Sequence, residues 1–150
     1  INNAMLHPVL TEMMQNKVDT EIKLEWQHKD VNFKGFADLL TTFNGKKCVV
    51  DIKTTNDAGK RFERDLYYND YKMQLAMYQD QYDKDTDAYI VAIETTTPFN
   101  VQIYKLDDSL LFKGWMDYDY YTDKFKEWNG EPEGYSSDIV EVKTETEEIL

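Results

Sequence analysis

The stretch Val49-Val50-Asp51-Ile52-Lys53-Thr54-Thr55 sets an acid and a base inside an apolar run. Cys48, Val49, Val50 and Ile52 predict a buried strand. Residues i and i+2 of a strand project from one face. Asp51 and Lys53 therefore stand side by side, while Val50 and Ile52 point the other way. A buried charge is costly unless it is paired or bound to metal. The pair is thus a structural ion pair, inert if it lies on an edge strand, or a reaction centre.

Upstream, Phe36-Ala37-Asp38-Leu39-Leu40 places a second acid in an apolar run. Asn44-Gly45 between them signals a tight turn. Strand, turn and strand predict a hairpin on which Asp38 and Asp51 converge. Two carboxylates form an oxygen-ligand site for a hard cation. Lys53 beside them suits orienting or activating a water, or offsetting charge on a phosphate. Acid, spacer, acid-x-Lys is an arrangement suited to metal-dependent phosphodiester hydrolysis.

The 150 residues are the size of one domain with a proper core. Aromatic residues at 14% argue against disorder. No apolar run approaches the ~20 residues of a membrane span, and no secretion leader is visible. The single cysteine, Cys48, excludes an internal disulfide and a multi-cysteine metal cluster, which fits a reducing cytoplasm. The net charge of −12 opposes non-specific nucleic-acid binding, which rests on Lys and Arg meeting phosphates. Basic surface has to come from local groups such as Lys53, Lys60, Arg61 and Arg64, or from other subunits or sequence.

Along the chain, 4–15 reads as a helix that tolerates Pro8 only in its first turn. It starts abruptly, as a fragment of something longer would, and His7 reads as a packing or surface residue. Residues 20–28 alternate, with Ile22, Leu24 and Trp26 on one face and Glu21, Lys23 and Glu25 on the other. Residues 31–43 form the strand of Asp38, in which Gly35 permits a bulge or the close approach of another backbone. A loop over 56–59 and a charged turn over 60–65 lead to a helix over 67–82. There Gln74 and Tyr78 share a face with aromatic and apolar neighbours. That stripe reads first as core, although a buried Gln needs a partner. Residues 87–94 and 100–106 are strands of a hairpin, and Glu94 at a strand end is assigned no chemistry. A long amphipathic helix over 109–128 closes at Asn129-Gly130, and an acidic, loosely ordered tail occupies 136–150. The fold class is mixed α+β: one layer of sheet, about five strands, flanked by helices.

The ordered set of pieces resembles the PD-(D/E)XK nuclease superfamily, and within it the RecB-type, exonuclease VIII-like branch of phages and prophages. The pieces are 21–26, Gly35-Phe-Ala-Asp38, Val50-Asp51-Ile-Lys53-Thr-Thr55, Phe62-Glu-Arg64 and Tyr71-Lys-Met-Gln74-Leu-Ala-Met-Tyr78. Val91-Ala-Ile-Glu94, Pro98-Phe-Asn-Val101, Tyr104, Trp128-Asn-Gly130 and Gly134-Tyr135 follow, so the likeness covers nearly the whole chain. The resemblance implies a restriction-endonuclease-like core. It also implies a magnesium or manganese ion held by Asp38, Asp51 and the Ile52 carbonyl, with Glu21 as a helper acid or Glu25 in its place. Lys53 would position water, Gln74 would orient the site, and Tyr78, Thr54 and Arg64 would contact substrate. The branch carries a histidine on a helix ahead of the first strand; His7 lies later than that position.

The expected function is a metal-dependent DNA exonuclease that resects linear double-stranded ends in phage or prophage recombination. It would act in the bacterial or phage-infected cytoplasm, as a homo-oligomer and alongside a single-strand annealing protein. A relative that cuts single-stranded or other nucleic acid keeps the fold and changes the substrate. A catalytically inactive binding or assembly module of the same fold is the reading from another class, and the chain's acidity would suit a protein partner or a DNA mimic.

Overall fold

Asn44 and Gly45 both take positive φ, +50° and +71°, the pair that a type I′ hairpin turn requires. They join β2 (Val31–Phe43) to β3 (Lys46–Thr55), the hairpin expected from the sequence. The structure is a computed structural model that describes residues 4–128 together with Gly130, Ile139 and Glu141. A 3-10 turn (Ala4–Leu6) and α1 (Pro8–Gln15) precede β1 (Asp19–His28). After β3 come α2 (Lys60–Tyr68), α3 (Tyr71–Asp80), β4 (Asp87–Glu94), β5 (Val101–Leu106) and α4 (Asp108–Glu127). The expected acidic tail falls outside the described residues apart from Ile139 and Glu141.

The five strands form one mixed sheet in the order β1-β2-β3-β4-β5. β3 and β4 pair in parallel, so α2 and α3 form the crossover between them; the other neighbours are antiparallel. α2, α3 and α4 cover one face with Phe62, Leu66, Leu75 and Leu111 against Val49, Ala88 and Ile90. α1 covers the other face, with Leu10 and Met13 against Leu39, Val50 and Val91. Among the described residues no helix is long and apolar enough to cross a membrane.

Two elements differ from the sequence expectation. Residues 60–65 are not a turn: they begin α2, whose charged positions face water while Phe62 and Leu66, one helical turn apart, are buried. The helix expected over 67–82 is two helices, because Asn69 and Asp70 break the chain between α2 and α3. Short polar side chains of this kind compete with the helical backbone and favour turns. Pro8 sits at the first position of α1, where its missing N–H costs no hydrogen bond.

The central hairpin carries an irregularity that matters for function. Ala37 packs toward the α2–α4 side and Leu39, two residues on, toward α1. Regular alternation would put both on one face, so β2 is turned over at Asp38. Asp38 is skipped in the pairing on both its sides, and Glu21, its counterpart on β1, has φ of +50°.

Candidate active site

Asp51 and Lys53 point to the α3 side of β3, while Cys48 and Val50 face α1. The β2–β3 ladder ends at Leu39↔Val50, one residue short of Asp38 and Asp51. Beyond it the Ile52 N–H has no backbone partner on β2 and donates to Asp38 Oδ2 at 2.6 Å. The overturned strand thereby brings the Asp38 carboxylate beside Asp51. The N–H and C=O of one extended residue point to the same side, so the Ile52 carbonyl also faces the aspartates.

Lys53 Nζ lies 2.8 Å from Asp51 Oδ2 and donates to Gln74 Oε1 on α3 at 3.0 Å. Gln74 Nε2 donates to Tyr78 Oη, one turn further on, at 3.1 Å. Tyr78 in turn stands edge-on to Trp26 of β1 and packs on Gly35, where a β-carbon would come within 2.7 Å of its ring. The close approach expected at Gly35 is thus made by a side chain and not by a backbone. Lys53 Nζ also lies 5.1 Å over the Tyr71 ring, which stacks on Phe62, itself stacked on Tyr104. In the sequence Tyr71 stands only as a member of the apolar stripe; its spacing of three from Gln74, hence a shared helix face, is the signal that could have linked it to Lys53.

Asp51 is 3% exposed. Burial raises its pKa above the usual aspartate range; the Lys53 ammonium pulls the other way, and the Asp38 carboxylate adds to the rise. Its Oδ2 is met by the Lys53 ammonium at 2.8 Å, which offsets part of the cost of its burial. A buried oxygen of this kind is costly unless something cationic meets it. Two carboxylates and a carbonyl, with no sulfur or imidazole, suit a hard divalent cation such as magnesium or manganese.

The other expected residues make no hydrogen bond or ion pair with Asp38, Asp51, Lys53 or Gln74, although Glu21 stands opposite Asp38 across β1 and β2. Glu21 is exposed, and among the described residues no third His, Cys, Asp or Glu joins the two aspartates as a ligand group. Glu25 pairs with Lys23 at 2.7 Å. Thr54 is exposed and alternates onto the face of Ile52. Arg64 is exposed on α2. His7 precedes α1, which packs on the face of the sheet away from Lys53 and Gln74. Glu94 serves the architecture. It is 8% exposed and accepts from Ala58 N–H at 3.1 Å and Asn100 N–H at 2.9 Å. These hydrogen bonds lower its pKa and tie the loop before α2 to the β4–β5 connection.

A mixed sheet with helices on both faces and Asp, Asp-x-Lys on its central hairpin defines a restriction-endonuclease-like fold of the PD-(D/E)XK superfamily. The family model for the PDDEXK-like domain of unknown function (DUF3799) matches residues 5–144, and the chain belongs to that family. Among solved structures it is similar to a protein from Eubacterium rectale described as a candidate exonuclease. That likeness has a TM-score of 0.66 at 14% identity, over 84% of this chain and 50% of that one. SSO0001 aligns with a TM-score of 0.39 at 23% identity, over 69% of this chain and 50% of that one, too weak a likeness to carry an argument. The chain therefore spans half the length of these solved relatives. No curated protein matches it.

Proposed function

We propose that this chain is a metal-dependent deoxyribonuclease that hydrolyses phosphodiester bonds. The observation that carries the reading is the meeting of Asp38, Asp51, Lys53 and Gln74, with the Asp51 carboxylate buried. Asp38, Asp51 and the Ile52 carbonyl would hold magnesium or manganese, which when bound supplies positive charge at a phosphodiester oxygen. Lys53, fixed between Asp51 and Gln74, orients the attacking water and meets the charge that develops on the phosphoryl oxygens. Gln74 positions Lys53 through its oxygen, since its amide nitrogen is committed to Tyr78. Tyr78, 5% exposed and packed on Gly35, supports Gln74 from within the core and is too buried for the substrate contact expected of it.

Hydrolysis from linear duplex ends is the finer reading. The resemblance to the exonuclease VIII-like branch supports it, as does the description of the Eubacterium rectale relative. The same resemblance supports a cytoplasmic homo-oligomer that works with a single-strand annealing protein in phage or prophage recombination. The test is release of labelled nucleotides from linear duplex DNA with magnesium or manganese against a chelator control, beside closed-circular DNA. Linear DNA should be consumed and circles spared. Asp51→Asn and Lys53→Met should each slow release by on the order of 10²–10³-fold. Intact linear and circular DNA with both ions would overturn the reading.

A further inference from the structure

We propose that the exposed face of α2 is a track for a single, unpaired nucleic-acid strand leading into the site, with bases stacked on Tyr67 and Tyr68 and phosphates met by Lys60, Arg61 and Arg64. The proposal rests on the nuclease reading and adds to it the surface that holds one strand once it is unpaired at a duplex end. α2 buries Phe62 and Leu66, leaves Asp65 half-buried and turns its other side chains outward. Lys60, Arg64, Tyr67 and Tyr68 follow i, i+4, i+7 and i+8 spacing and so share a face. They line one hollow of about 510 Å³ together with Glu63. Tyr67 and Tyr68 are 59% and 80% exposed, two adjacent flat rings in water with apolar area that stacking would cover.

The charge of this face stands out against the rest of the molecule. The chain carries −12, and both of its arginines lie here. Several lysines elsewhere, Lys23, Lys29, Lys47 and Lys105 among them, are held by acids, while exposed Lys17, Lys34, Lys84, Lys113 and Lys126 are in no ion pair among the described residues but stand apart from the arginines in sequence. Among the described residues Lys60, Arg61 and Arg64 enter no ion pair, not even with Glu63 beside them. Cations left free beside exposed rings fit a polyanion that has flat faces. A duplex hides its base faces, whereas an unpaired strand offers one per nucleotide.

The track also leads to the chemistry. Tyr68 lines a second hollow, of about 480 Å³, with Asn69, Asp70, Tyr71, Met73 and Gln74. Gln74 is the residue that holds Lys53. Tyr68 thus joins the cationic face to the site.

Binding by the full chain, read by fluorescence anisotropy in chelator so that nothing is cut, tests the proposal. The probes are a labelled mixed-sequence single-stranded oligodeoxynucleotide, an abasic strand of equal length, the matching duplex and a labelled polyglutamate. Wild type should bind the single strand at least tenfold more tightly than the abasic strand or the duplex. Tyr67→Ala/Tyr68→Ala should remove the preference for bases and leave the salt dependence. Arg61→Gln/Arg64→Gln should weaken binding tenfold or more and flatten the salt dependence; Lys113→Gln, at an exposed lysine on α4, should change neither. Equal binding of abasic and base-bearing strands, polyglutamate bound as tightly as DNA, or wild-type behaviour of both double variants would each overturn the track. Loss of binding in these variants in a chain that cuts nothing with metal would keep the track and discard the nuclease. Cleavage with unaltered binding would do the reverse.

Discussion

Under the proposed metal site, Asp51 would carry opposite demands in the free and the loaded protein. Burial raises its pKa, so the folded state holds the proton more tightly than the unfolded chain does. Its contribution to stability is then full below the unfolded pKa and is lost as pH rises through the raised folded value. A bound cation needs the carboxylate, so its stabilisation runs the other way. Without metal, the melting temperature of wild type relative to Asp51→Asn should fall as pH rises across that window; the gain on adding manganese should grow. Thermal scans of both proteins across that pH range, with and without the ion, check both signs. At Lys53 the question is aim. The Tyr71 ring holds the ammonium from a third side, a contact of about 0.5–1 kcal/mol where the cation stays partly exposed. Tyr71→Leu should lower kcat a few-fold with KM little changed, and Tyr71→Phe should restore it. The side-by-side placement of Asp51 and Lys53 was legible from strand alternation alone. Tyr71 was not, because a ring at helical spacing reads the same whether it faces core or a lysine.

At the scale of elements, two glycines set where α3 can lie. A β-carbon at Gly114 of α4 would fall 2.2 Å from the Lys72 carbonyl oxygen of α3, and a backbone cannot rotate away. Gly114→Ala should destabilise by about 3 kcal/mol, at the upper end of overpacking costs, and cost activity, since α3 carries Gln74 and Tyr78. At Gly35 the clash is with the Tyr78 side chain. Gly35→Ala should therefore cost less in stability and relatively more in activity, by shifting the tyrosine that supports Gln74. Denaturant melts paired with nuclease assays separate the two. The helix α2 escaped the sequence because its charges mask the single Phe62–Leu66 pair that anchors it; only the presence of a core beneath that pair makes it a helix.

At the scale of the molecule, the proposed track would give an acidic chain few cations with which to meet a polyanion. The three cations on α2 that no acid holds among the described residues limit the counterions released on binding to a single strand. The slope of log K against log salt should lie near about −2, and a titration over salt concentration measures it. A much steeper slope would require cations from elsewhere, such as further copies of the chain or the part of the relatives that lies beyond this length. Glu94 acts at this scale too, holding the loop before α2 to the far end of β4. Its lowered pKa means a contribution to stability that is present above the unfolded value and lost as pH falls through the folded one.

The amino-acid order alone determined the hairpin, its Asn44-Gly45 turn, the strands of the sheet, and the pairing of Asp51 with Lys53 on one face. Those are local matters of period and turn chemistry, and they hold wherever the strand is placed. It also pointed to Gln74 and Tyr78 as neighbours on a helix. The turn likewise set Asp38 opposite Asp51; what the order left open was how that carboxylate is aimed and which side chains of α3 meet the pair. The overturning of β2 at Asp38, which aims its carboxylate at Asp51 and hands it the Ile52 N–H, comes from packing opposite faces of one strand against different helices. The docking of Gln74 onto Lys53 depends on how closely α3 is pressed between Gly114 and the sheet. Such distances are fixed by side chains far apart in the chain, and no local pattern records them.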